Sequence, residues 1–119
     1  MAKKKAFAVI GLGTFGQKVC EVLSEKEATV IAIDNKSELI ERVKDTVTQA
    51  IYLDSTDEEA MGQVPFEEVD VAVIAIGDNI EASILSTAIL KKIGIPYIIA
   101  RAVTTIHHQV LRQVGADEV

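Results

Sequence analysis

Short aliphatic runs alternate with longer stretches of helical periodicity along the chain, the pattern of successive βαβ units around a parallel sheet. The first run predicts a strand over about 5–10. Gly11 to Gly16 follow and open a helix to about Lys26, with Phe15, Val19, Val22 and Leu23 on one face. A second strand over 28–33 closes at Asp34, and a helix over about 36–44 starts with Asn35 and Glu38 in capping-box spacing. The third strand covers 48–53 and closes at Asp54. Thr56 and Glu59 repeat the capping spacing before a short helix that Pro65 ends. The run 69–76 is the most continuous aliphatic stretch and predicts a central fourth strand. Gly77, Asp78 and Asn79 lead into a helix over 80–93, stopped by Gly94 and Pro96. A fifth strand over 97–100 precedes a last helix whose Ile106, Val110, Leu111 and Val114 face inward. After Gly115 the chain enters the first residues of a sixth strand.

Right-handed crossovers arrange these elements as a doubly wound, three-layer α/β/α fold of Rossmann type with strand order 3-2-1-4-5. Its ligand crevice lies at the C-terminal ends of strands one and four. With 119 residues the chain fits one domain. Val, Ile, Ala and Leu dominate its 49% hydrophobic content, and aromatics make up only 4%. Such composition suits strands buried on both faces.

The net charge of −6 argues against nucleic-acid binding, which rests on cationic surface. The Lys3-Lys4-Lys5 run reads as a solvated lead-in to the first strand. A single cysteine, Cys20, excludes an internal disulfide and an all-cysteine zinc site, and its place on an apolar helix face predicts a buried, inert thiol. No apolar run approaches the roughly 18–20 residues that span a bilayer. The expectation is a cytosolic protein.

Gly11-Leu12-Gly13-Thr14-Phe15-Gly16 is a G-x-G-x-x-G between a predicted strand and a predicted helix, the context that gives this motif its value. Gly11 permits the tight turn, Gly13 lets a phosphate approach bare backbone, and Gly16 allows helix and strand to pack closely. The unpaired amides and positive dipole end of the helix then attract phosphates; the other reading is a tight turn without a ligand. Asp34 stands where a carboxylate accepts hydrogen bonds from both ribose hydroxyls of an adenosine, unless it merely ends the strand. It would repel a 2′-phosphate, which disfavours NADP even with Lys36 nearby. Asp54 is positioned to approach the adenine edge, and Ser55 and Thr56 either join it or cap the next helix. Ile76, Gly77, Asp78 and Asn79 form the opposite lip, where Asn79 caps a helix or bonds the nucleotide. Arg101 ends the fifth strand with a fork suited to phosphate, or to a surface ion pair. Together with Asn35, these residues are the candidate cofactor-binding set. His107 and His108, adjacent on a helix, point about 100° apart and are poorly placed to share a metal. No serine has a nucleophile-elbow context and no carboxylate pair is placed for acid–base work, so neither a catalytic residue nor a metal site is expected.

Several stretches together resemble a known family. They are Val9 through Gly16, Ala32-Ile33-Asp34, Asp54-Ser55-Thr56-Asp57, Val73 through Ser83, Ala100-Arg101-Ala102, His107 through Leu111, and Gly115-Ala116-Asp117. The likeness is to the N-terminal lobe of the RCK, or KTN, domain of potassium-transport regulators, the TrkA N-terminal type, and it covers nearly the whole chain. The resemblance implies a regulatory protein without catalytic turnover that senses ATP, ADP, AMP, or NAD and NADH. It implies a homodimer assembling into a larger, octameric ring beneath a membrane-embedded potassium channel or transporter, at the inner face of the cell membrane. By the match, Gly11, Gly13 and Gly16 face the phosphates, Asp34 the ribose, Asp54 the adenine side and Arg101 the phosphates. Many relatives that respond to ATP carry arginine where Thr14 stands, so the resemblance gives no ground here for a strong preference for ATP. Relatives also continue into a smaller C-terminal lobe. The expectation is one nucleotide-binding domain over 1–119, without that lobe. The competing function is a fragment of an NAD-dependent oxidoreductase. A metal or redox sensor has only Cys20 and the two histidines to offer.

Overall fold

The computed structural model describes residues 4–119. Five parallel strands form one sheet in the order β3-β2-β1-β4-β5. They are β1 (Ala6–Ile10), β2 (Thr29–Asp34), β3 (Gln49–Tyr52), β4 (Val71–Ile74) and β5 (Tyr97–Ala100). The helices between and after them are α1 (Thr14–Glu25), α2 (Ser37–Val43), α3 (Glu58–Met61), α4 (Ile80–Ile93) and α5 (Thr105–Val114). The expected doubly wound order is therefore present. The strand over 71–74 is interior, paired with β1 and β5, but the middle of the five is β1.

Alternation along the strands divides the core between the two sheet faces. Val9, Val30 and Ala32 join Leu12, Cys20 and Val43 beneath α1 and α2. Ala8, Ile10, Ile31, Ile33, Ala72 and Ile74 join Leu90, Ile98 and Leu111 on the side of α4 and α5. In β1, β2 and β4 nearly every residue meets a helix layer, which is why these strands read as continuous aliphatic runs.

Local signals mostly placed the elements correctly, with four exceptions. Asn35 and Glu38 form no capping box, because the N-cap position of α2 falls one residue later, on Lys36, and among the described residues no side chain caps it. Thr56 does not cap α3. Its hydroxyl and amide both bond to Asp54, and Asp57 accepts from the Ala60 amide instead. On α1, Phe15 and Val22 are exposed, while Cys20 and Gly16 take the inner positions. On α5, Ile106 is 71% exposed and His107 occupies the inward slot. Gly94, at φ 103°, ends α4 in the left-handed conformation that glycine tolerates.

The segment after α5 runs parallel to β5: Ile99 bridges Glu118, and the Ala100 amide donates to the Glu118 carbonyl at 2.9 Å. This is the start of the sixth strand. Lys4 and Lys5 are exposed, and Lys3 lies outside the described residues. Among the described residues, no helix is long and apolar enough to cross a membrane.

Candidate functional site

Parallel register brings the C-terminal ends of four strands to one edge. Ile10 lies opposite Ile33 on one side and Ile74 on the other, and Ile74 lies opposite Ala100. The residues that follow each strand open into a crevice of about 920 Å³. That is the upper part of the range for small-molecule sites. It lies where the chain changes direction across β1, the topological switch point of a doubly wound sheet.

The glycine turn forms the floor. Gly11 has φ 95°, and a Cβ there would stand 2.9 Å from Ile76 Cγ1 and 3.0 Å from the Ile76 amide. Gly13 faces open space, with nothing within 4 Å of the Cβ it lacks. The turn is braced from outside: Asp34 Oδ2 accepts from the Leu12 amide at 2.8 Å, and Gln17 Nε2 donates to the Leu12 carbonyl at 2.9 Å. Among the described residues no side chain caps α1 or α2, whose starts both border the crevice. By contrast α3, α4 and α5 are capped by Asp57, Asn79 and Thr104. The amides at the head of α1 are left for an external acceptor, in the position that favours an anion.

Of the candidate residues, Gly11, Gly13, Thr14, Phe15, Asp34, Asn35, Asp54, Ser55, Thr56, Ile76, Gly77, Asn79 and Arg101 all line the crevice. Gly16 does not. It is buried, and a Cβ on it would collide with the Gly11 carbonyl oxygen, so it is a packing residue of the turn.

Asp34 has two duties at once. Its Oδ1 accepts from the Lys36 amide at 2.9 Å while Oδ2 holds Leu12, and each oxygen keeps the capacity to accept a further bond. On the same side, after the neighbouring strand β3, Asp54 accepts from Thr56 Oγ1 at 2.7 Å and from its amide at 2.9 Å, and these bonds hold its carboxyl below the usual range. Ser55 turns inward to Ser86 at 2.6 Å, tying this lip to α4. Asn79 Oδ1 accepts from the Ala82 amide at 2.9 Å, so its capping role is realised at the crevice wall. Arg101 lies 5.4 Å from the centre of the Phe15 ring, a cation–π stack that spans the mouth from β5 to α1. Among the described residues it has no ion-pair partner.

Sequence reasoning left out Lys18, Leu39, Leu53, Ala75 and Ala82, placed Asp78 at the lip without a binding role, and weighed Lys36 only for its charge. Lys18 was findable. It stands one helical turn after Thr14, and helical side chains lean back toward the N-terminus, here toward the crevice. Leu39 and Leu53 carried no signal beyond their apolar character.

The remaining reactive groups lie elsewhere. Burial pushes the Cys20 thiol up to about 11, which leaves it unreactive at neutral pH. His108 is exposed, whereas His107 is buried and burial lowers its pKa from 6.5. The folded state therefore disfavours a proton that the unfolded chain takes up near pH 6.5. Stability is full above that pH and is lost as pH falls through the folded-state pKa, by at most about 1.4 kcal/mol per pH unit. Urea midpoints measured from pH 7.5 to 5.5 should fall more steeply for the wild type than for His107→Asn.

A family profile described as the TrkA-N domain matches residues 7–119. Ktr system potassium uptake protein C of Bacillus subtilis is 40% identical over 116 residues, which cover 98% of this chain and 52% of that protein. The chain thus spans about half the length of the curated relatives it matches. Among solved structures, the NAD(P)-binding domain of an exopolyphosphatase-related protein from Archaeoglobus fulgidus superposes with a TM-score of 0.85 at 26% identity. That match covers 95% of this chain and 84% of the other. The GsuK channel bound to NAD gives a TM-score of 0.82 at 12% identity, covering 98% of this chain and 21% of that one, a likeness of fold. Profile, relatives and sheet order agree, and the chain belongs to the TrkA-N domain family.

Proposed function

We propose that this domain is a nucleotide-sensing regulatory unit of a potassium uptake system, binding an adenine nucleotide in the crevice above β1 and β4. The observation that carries the reading is the uncapped head of α1 behind the open Gly13, with Asp34 on one lip and Arg101 on the other. Phosphates lie on the amides of the glycine turn, Arg101 approaches them from β5, and Lys18 adds a second cation. The free lone pairs of Asp34 take the ribose hydroxyls. Asp54 and the apolar Leu39 and Leu53 border the adenine side. The ligand is ATP, ADP, AMP, or NAD and NADH, with NADP disfavoured because its 2′-phosphate meets the Asp34 carboxylate.

The potassium role is supported by the Ktr relatives, whose names assign them to potassium uptake systems. On this reading the protein works at the inner face of the membrane through a membrane-embedded potassium channel or transporter. It acts as a homodimer within a ring, and nucleotides act by binding one conformer more tightly than another. Ile80, Leu85 and Ile93 of α4 are exposed and give such a partner an apolar surface. Light scattering at micromolar concentration should show a dimer or larger species; a monomer would count against this part.

Mass spectrometry of the small molecule that copurifies with the protein, followed by titration with ATP, ADP, AMP, NAD and NADP, tests the site. Failure of all five to bind refutes the reading. The NAD-dependent oxidoreductase alternative shares the same crevice and is separated by hydride transfer to small alcohols or hydroxy acids.

A further inference from the structure

The ring of His107 is 2% exposed, and both of its nitrogens are engaged. Nδ1 accepts from the Val103 amide at 3.1 Å. An N–H cannot face another N–H, so the ring proton sits on Nε2, which donates to Ser83 Oγ at 2.9 Å. Ser83 belongs to the first turn of α4, and its amide donates to the carbonyl of Asn79, a crevice residue. Val103 lies two residues after Arg101, in the irregular stretch between β5 and α5. Thr104 closes that stretch, its Oγ1 accepting from the His107 amide at 3.0 Å. At the other end the Arg101 amide donates to the Ile74 carbonyl at 3.1 Å. The backbone that carries the guanidinium is therefore pinned at three points, and His107 supplies two of them.

We infer that His107 is a positioning residue for phosphate recognition, locking the Arg101 stretch to the first turn of α4 through Val103 and Ser83. This rests on the reading that the crevice holds a nucleotide with Arg101 on its phosphates. Loosening the stretch leaves the charge of Arg101 in place and removes its fixed direction. The loss then falls on ligands with phosphates and spares those without. A histidine that only fills the core would change stability and leave that discrimination untouched.

Calorimetric titration with ADP and with adenosine separates the two. The proteins are the wild type, His107→Gln and His107→Asn, each shown to be folded by its thermal transition. Asparagine places an acceptor near the Nδ1 position for the Val103 amide; glutamine reaches toward Ser83 and brings none to Val103. His107→Gln should lose about tenfold in ADP affinity with adenosine changed less than about twofold, and His107→Asn should return ADP to within about threefold of wild type. A wild-type ratio of ADP to adenosine affinity in His107→Gln, or an equal fall in both variants, overturns the assignment. Should His107→Gln not fold, Ser83→Ala replaces it: a fall of about threefold in the same ratio is expected, and an unchanged ratio is fatal. A wild-type protein that binds neither ligand instead brings down the nucleotide reading itself.

Discussion

Gly16→Ala should lower the melting temperature by roughly 10 °C or more, while Gly13→Ala, three residues earlier, should shift it by only a few degrees. The contrast comes from what each methyl meets. At Gly16 it collides with the carbonyl oxygen of Gly11, which is main chain and cannot rotate away. Relief requires α1 to lift from β1 and disturbs the Leu12 side of the core, an overpacking cost of about 3 kcal/mol or more. At Gly13 the methyl enters empty space, and φ −66° suits any residue, so the cost stays below about 1 kcal/mol, mostly poorer capping. That empty space is where phosphate is proposed to sit. Gly13→Ala should therefore lose at least about tenfold in nucleotide affinity while remaining folded. Thermal melts and calorimetry on the two variants check both halves. A stable Gly16→Ala, or a Gly13→Ala that binds as well as wild type, contradicts the geometry of the turn.

Asp34→Ala should weaken nucleotide binding by at least about 1.5–3 kcal/mol, the range for hydrogen bonds to a charged group. The ribose contact proposed for Asp34 would alone give that loss. The same carboxylate also holds the Leu12 amide at 2.8 Å and the Lys36 amide at 2.9 Å, so its removal loosens the turn that presents the phosphate amides. Binding and stability should fall together, the latter by about 1–3 kcal/mol from the part-buried Leu12 bond. Asp34→Asn divides the roles: one oxygen still accepts, but its amide group must face one of the two backbone N–H groups. An intermediate loss is expected. Calorimetric affinities equal to wild type in the alanine variant would remove Asp34 from the site.

Strand order and the edge that carries the crevice were legible in the sequence, because both follow from alternation of elements and from right-handed crossovers. Thirteen of the proposed crevice residues were placed by the same logic, since each ends a strand or lies shortly after one. What failed was local and polar. Asp54, Ser55, Thr56 and Asp57 are consecutive residues that can all begin a helix, and spacing alone chose Thr56. In the fold Asp54 captures Thr56, which leaves Asp57 to cap. Apolar periodicity put Ile106 inside α5. The inner slot belongs to His107 because Ser83 and Val103 satisfy its ring, an arrangement between distant segments that no single-helix pattern reveals. Ser83, Ser86 and Thr87 are also buried on α4 with their hydroxyls satisfied, Ser83 by His107, Ser86 by Ser55, and Thr87 by donating to the Ser83 carbonyl one turn back.

The pairing of Ile99 with Glu118 makes the two margins of the sheet unequal. Beside β5 the main-chain groups of Ile98 and Ala100 are already occupied by Asp117 and Glu118, so another molecule finds little there to zip onto. Among the described residues the β3 margin has no such cover, and Tyr52 on it is largely exposed. If partly unfolded copies cluster by strand addition, β3 is the seam at which they join.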